Sequence, residues 1–141
     1  MRVEETGGPV LVDTSVWVHY DRGDDHPTAL MLKNLIAASD RVAVTEPVVM
    51  ELLAGARNDL EKQRISRLVT RFSLLRFDPV ADFDAAAGLY RICRRNGVTP
   101  RGLVDCMIAS VALRTRSRLL AADGDFERMG QALGLVRFGS V

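Results

Sequence analysis

Five acids in this chain could do chemistry together: Asp13, Glu51, Asp105, Asp123 and Asp125. Asp13 follows the apolar run Val10-Leu11-Val12 and precedes Thr14-Ser15-Val16-Trp17. Such a run reads as a strand buried on both faces, with Asp13 at its carboxyl end, where ligand crevices form in open parallel sheets. Glu51 falls in the early turns of a helix that follows a second run, Val42-Ala43-Val44. Asp105 lies about one turn into a helix opened by Thr99-Pro100, and Asp123 and Asp125 follow Leu119-Leu120-Ala121-Ala122. Each acid has a structural use: Asp13 as a helix cap, Glu51 as a surface charge, Asp105 as an (i, i+4) partner of Arg101, Asp123 and Asp125 as turn residues around Gly124. Their shared placement argues for more. Carboxylates gathered in one crevice repel unless a cation neutralises them, and an all-oxygen donor set selects hard ions such as Mg²⁺ or Mn²⁺.

The elements that must position these acids follow from the apolar pattern. Thr14 or Ser15 can cap a brief helix over 16–20, ended by the polar loop 21–25. Helical spacing continues over 27–39, and after the strand Val42–Val44 Thr45 caps a helix with Pro47 in its first turn. Further helices are expected over 58–72, 82–96, from Thr99-Pro100 onward, and 126–133, with Gly97 suited to a left-handed position. Strands are expected over 74–77, 118–122 and 135–138. Strands alternating with helices predict a three-layer α/β/α sandwich around a central, mostly parallel sheet. The 141 residues suit a single domain over 10–141, behind a flexible leader over 1–9.

Composition narrows the class. Apolar residues make up 48% of the chain and aromatic residues 6%, as in a Val-, Leu- and Ala-rich α/β core. The net charge of +1 is uninformative, but its distribution is not. Between Arg91 and Arg118 lie Arg91, Arg94, Arg95, Arg101, Arg114, Arg116 and Arg118, with Asp105 the only acid. Arginines around an acidic site suggest an anionic polymer as substrate, against the simpler use of a solvated face. Cys93 and Cys106 have neither CxxC spacing nor a nearby His, which predicts buried free thiols in a reducing compartment. With no signal-peptide pattern and no apolar run of bilayer-spanning length, the expectation is a cytoplasmic protein that does not engage membranes.

Four segments together resemble the PIN-domain ribonucleases, specifically the VapC-type toxins of bacterial toxin–antitoxin pairs. They are Val12-Asp13-Thr14-Ser15-Val16-Trp17, Thr45-Glu46-Pro47 through Leu53-Ala54-Gly55, Asp105-Cys106-Met107-Ile108-Ala109, and Leu119-Leu120 through Asp123-Gly124-Asp125-Phe126. The resemblance implies a PIN-like fold and Mg²⁺-dependent endonucleolytic cleavage of RNA, with Mn²⁺ as a substitute. It also implies a homodimer and a cognate antitoxin that fills the acidic cleft. Carried over residue by residue, Asp13, Glu51, Asp105 and Asp123 would be the metal-site acids, with Asp125 auxiliary. Glu51 would either ligate or orient the attacking water, and Thr14 or Ser15 would orient a carboxylate or that water. Arg101, with Arg94 and Arg95, would hold the RNA backbone.

Three rival readings stand beside this one. A PIN nuclease could process RNA, or act on DNA, outside any toxin pair. A phospho-acceptor domain also clusters acids in an α/β fold, but its chemistry wants a late lysine and none follows Lys62. A non-catalytic binding module would have no need of an intact acid set.

Overall fold

Val10, Leu11 and Val12 are each 0% exposed, as an apolar run must be where helices cover both faces of a parallel sheet. The computed structural model describes residues 8–39, 41–136 and 138. Its sheet is built on β1 (Val10–Val12), which pairs in parallel with β2 (Val42–Val44) on one side and with β4 (Arg118–Leu120) on the other. The two-residue β3 (Ser73–Leu74) adds to β2, so the order is β3-β2-β1-β4. The register sets two corners side by side. Val12 lies opposite Leu120, and the amide of Asp13 donates to Leu120 O at 2.9 Å. The chain after β1 therefore leaves the sheet beside the chain after β4.

Among the described residues seven helices flank this sheet: α1 (Thr14–Arg22), α2 (Pro27–Ala37), α3 (Glu46–Ala54), α4 (Asp59–Val69), α5 (Asp82–Arg95), α6 (Leu103–Thr115) and α7 (Asp125–Leu133). Helix α1 packs on α2 and α3, and α3 on α4; α5 packs on α6 and α7. The result is the expected α/β/α sandwich. Trp17 and Phe126 are the largest fully buried side chains, and the Trp17 indole donates to Val12 O at 3.2 Å. Cys93 and Cys106 are both buried free thiols, whose burial raises each thiol and lifts that of Cys106 to about 11. No helix among the described residues is long and apolar enough to cross a membrane.

Several boundaries differ from the sequence pattern, each for a local reason. Helix α1 starts at Thr14 and runs to Arg22, because Asp13 itself caps it by accepting from Ser15 N, and Gly23 ends it at φ 70°. Thr45 holds the N-cap position of α3, but its buried hydroxyl makes no capping bond. Helix α4 is shorter at both ends than 58–72, since Asn58 is its cap, accepting from Glu61 N. Helix α6 does not open at Thr99-Pro100. Gly102 is fully extended at φ −166° and holds the cap position, so Arg101 stays in the loop and Asp105 lies in the first turn. The strand expected over 74–77 shrinks to β3, with Leu75 N still donating to Val44 O at 2.7 Å. The strand expected over 135–138 includes residue 137, outside the described residues. Leu119 N donates to Val136 O and Phe138 N to Leu119 O, but the sheet among the described residues has four strands. The leader expected over 1–9 also lies outside the described residues except for Gly8 and Pro9.

Candidate active site

The site begins at the β1–α1 corner. Asp13 must leave the sheet and start a helix at once, so its carboxylate turns back on the first amides of α1. Oδ2 accepts from Ser15 N at 3.1 Å and from the Ser15 hydroxyl at 2.6 Å. The same hydroxyl accepts from Ala122 N at 3.0 Å, which ties the corner after β1 to the corner after β4. Asp13 is 3% exposed, and its Oδ1 is buried with no hydrogen-bond partner among the described residues. Burial drives its carboxyl up to about 6; the Ser15 bonds oppose this and the charge of Asp123 adds to it.

Two acids from helices face Asp13. Asp105, in the first turn of α6, is 7% exposed, and its Oδ2 is likewise buried without a partner. Burial is the largest cause that raises its carboxyl to about 7; the charges of Asp13, Asp123 and Glu51 add, and Arg101 opposes. Glu51, on α3, accepts from the Thr14 hydroxyl at 2.6 Å. Each of the two hydroxyls after Asp13 therefore holds a different carboxylate.

The fourth corner follows β4. Asp123 accepts from Asp125 N at 3.2 Å, a turn that aims its other oxygen at Arg101 Nη2, 3.3 Å away. Arg101 Nε also lies 2.8 Å from Asp125 Oδ2, and Arg128 bonds the remaining oxygen of Asp125. This reach is open to Arg101 because it lies outside α6. An (i, i+4) pairing with Asp105, the structural alternative for that acid, is not made among the described residues, since that spacing needs both residues in one helix.

A cavity of about 350 Å³ joins these groups, lined by Asp13, Thr14, Ser15, Glu51, Arg101, Asp105 and Asp123. Asp125 is not on its wall. Arg94 and Arg95 are exposed in the last turn of α5 and do not line it either; Arg94 lies over the Tyr90 ring at 5.9 Å. His19 and Arg22, from the pocket face of α1, do line it and were not singled out from sequence. Their helical spacing after Ser15, i+4 and i+7, was the available signal. A larger cavity of about 640 Å³, between α1, α3 and α4, shares Val18, Arg22 and Glu51 with this one.

A hard cation fits this donor set. Two buried carboxylate oxygens, one each on Asp13 and Asp105, lack partners, and a buried acceptor in that state carries its full desolvation cost. Among the described residues no three His, Cys, Asp or Glu side chains form a ready ligand cluster by themselves.

Comparison with known proteins bears on the same residues. The PIN domain family matches residues 10–132. Ribonuclease VapC11 of Mycobacterium tuberculosis is 39% identical over 127 residues, covering 89% of this chain and 95% of that protein. Among solved structures, VapBC2 from Rickettsia felis, bound to a DNA fragment from its promoter, superposes with a TM-score of 0.71 at 17% identity, over 93% of this chain and 98% of that one. VapBC-1 from nontypeable Haemophilus influenzae gives 0.70 at 19% identity, over 93% and 97%. These two carry the fold. With the family pattern spanning the sheet and the acid corners, and the identity to VapC11 running over nearly the whole chain, this protein belongs to the PIN-domain family of VapC ribonucleases.

Proposed function

We propose that this chain is a divalent-metal-dependent endoribonuclease, the toxin of a type II toxin–antitoxin pair, which cuts cellular RNA and so arrests translation. The observation that carries the reading is the pocket itself. Four carboxylates from four different elements share it with the guanidinium groups of Arg22 and Arg101, and two of their buried oxygens have no partner among the described residues.

Asp13, Asp105 and Asp123 would hold Mg²⁺, or Mn²⁺ in its place, with Glu51 at the edge of the set. When bound, the ion supplies Lewis-acid activation of water and stabilisation of charge on the scissile phosphate. The residues of the chain do the rest. Ser15 fixes the Asp13 carboxylate against rotation through its hydroxyl and amide. Thr14 aims Glu51, whose second oxygen then takes the proton of the attacking water. Asp125, held by Arg101 and Arg128, acts as the seat of Arg101 and not as a ligand. Arg101 exchanges its carboxylate partners for a phosphate of the RNA, and Arg94 and Arg95 track the backbone beyond the pocket.

The VapBC neighbours are complexes, and a cognate antitoxin is the partner this reading implies. Its basic side chain would enter the acid pocket, and its apolar residues would lie in the adjoining cavity against Trp17, Leu52, Ile65 and Leu68. A homodimer is the expected assembly. The decisive experiment is sequencing of cleaved RNA ends after expression of the chain and of its Asp13→Asn variant. Discrete new ends that depend on Asp13 are expected; identical ends from both proteins would remove Asp13 from the site.

A further inference from the structure

His19 has no part in the hydrolytic chemistry proposed for the pocket, and a role for it rests on that ribonuclease reading. It lies four residues after Ser15 on α1 and lines the acid pocket. Its Nδ1 is 2.8 Å from Asp24 Oδ2. An ionised carboxylate only accepts, so Nδ1 carries the proton of that bond. Asp24 is itself fixed, because its Oδ1 accepts from His26 N at 3.1 Å. The His19 bond and then that amide hold the Asp24 carboxyl below its ordinary range.

The His26 ring stacks on His19, with centroids 4.1 Å apart and planes at 19°. His26 Nδ1 accepts from Thr28 N at 3.2 Å, so its proton is on Nε2 and the ring is neutral in this arrangement. The stack therefore holds the His19 plane without adding a second cation. His19 Nε2 makes no hydrogen bond or ion pair among the described residues. An imidazole with one nitrogen tied to a carboxylate and the other free has a fixed tautomer and an atom ready to transfer a proton.

We infer that His19, held by Asp24, gives the departing ester oxygen its proton when the phosphodiester bond breaks. The charged groups around the ring are Asp24 behind it and, on the walls of the cavity it lines, Asp13, Glu51, Asp105, Asp123, Arg22 and Arg101. The step balances. The attacking water forms the new bond to phosphorus and yields its proton to a carboxylate. The bond to the bridging oxygen breaks with its electron pair on that oxygen, which takes the proton from Nε2. The neutral imidazole regains a proton from solvent.

The test is single-turnover cleavage of a short oligoribonucleotide with a mapped scissile bond, in Mg²⁺ and across pH. Wild type, His19→Gln and Asp24→Asn are compared on the natural ester and on the same sequence with sulfur in place of the departing oxygen. A thiolate departs without protonation. His19→Gln is expected to slow cleavage of the natural ester by roughly 10²–10⁴-fold, to lose the alkaline fall of the pH profile, and to lose far less on the sulfur substrate. Asp24→Asn is expected to move the alkaline limb to lower pH, because the imidazolium loses its counter-ion. Equal losses on the two substrates, or an alkaline limb that neither variant moves, would overturn the assignment. If His19→Gln does not fold, the Asp24→Asn profile decides alone. A folded wild type that cleaves no RNA would remove the ribonuclease reading; a wild type that cleaves, matched in rate by His19→Gln, removes only the role of His19.

Discussion

Asp13 and Asp105 are carboxylates kept where a charge is costly. Their carboxyls stand near 6 and 7 against an ordinary 3.8, with burial the largest cause for each. A group whose folded pKa lies above its unfolded one adds most stability below the unfolded value and loses it as pH rises through the folded value. The metal-free fold should therefore be most stable near pH 4 and weaken progressively to about pH 7. A tenfold change in proton affinity is about 1.4 kcal/mol, so the two acids together make a difference of several kcal/mol. Asp105→Asn removes one of these charges, and in EDTA at pH 8 it should melt at or above the wild-type temperature while cleaving no RNA. Melting curves across pH with and without Mg²⁺ check both statements, and a lower EDTA melting point for the variant would show Asp105 to be a structural acid of the first turn of α6. Millimolar Mg²⁺ should raise the wild-type midpoint, by about 2.7 kcal/mol of stability at 100 times its dissociation constant.

The α5–α6 pair carries a second buried acid with the opposite sign of behaviour. Asp82 is 1% exposed, and its carboxylate accepts from the Ser110 hydroxyl at 2.6 Å, Arg114 Nη2 at 2.7 Å and Asp78 N at 2.8 Å. Burial alone would raise this carboxyl; the bonds from Arg114, Ser110 and the Asp78 amide outweigh it, and the group titrates below its ordinary range. Its contribution is thus present above the unfolded value near 4 and lost as pH falls. Arg114→Ala leaves the carboxylate buried without its cation and also removes the bond to Arg76 O. Such losses cost about 3–5 kcal/mol when both charges are buried; with Arg114 39% exposed, about 2–3 kcal/mol is expected here. Urea denaturation at pH 7 and pH 3 separates this from a simple packing loss, since the penalty should shrink at the lower pH. RNA cleavage, normalised to folded protein, should be unchanged.

For the whole molecule, Asp13, Glu51, Asp105 and Asp123 converge on one pocket with Arg22 and Arg101 among them, while Arg91, Arg94 and Arg95 are exposed on the C-terminal part of α5. If these arginines track the RNA backbone, Arg94→Ala/Arg95→Ala/Arg101→Ala should weaken binding at every sequence. It should also flatten the dependence of log affinity on log salt by about 0.7 for each phosphate of a single strand that is no longer neutralised. Filter binding between low and moderate salt measures the slope. An unchanged slope would leave the α5 arginines as a solvated face.

Much of this was legible in the chain because it is local. The runs Val10-Leu11-Val12 and Val42-Ala43-Val44 are buried on both faces, which only parallel strands under helices require, and an acid after such a strand emerges at the sheet edge whatever lies elsewhere. The parallel sandwich and the convergence of Asp13, Glu51, Asp105 and Asp123 came from that rule. What the sequence could not decide was how residues far apart in it would pair. Thr14 and Ser15 are equivalent hydroxyls on paper; the packing of α1 on α3 gives one to Glu51, and the pairing of β1 with β4 gives the other to Asp13 and Ala122. The spacing of Arg101 and Asp105 also allowed a helical pair; the extended backbone of Gly102 keeps Arg101 outside the helix, where it reaches Asp123 and Asp125 instead. Asp123 and Asp125 are two residues apart and alike in type, yet only Asp123 lines the pocket, because α7 begins between them and turns the second away to Arg128. Residue type and period fix which edge a side chain reaches; which neighbour it finds there is set by the packing of elements distant in the chain.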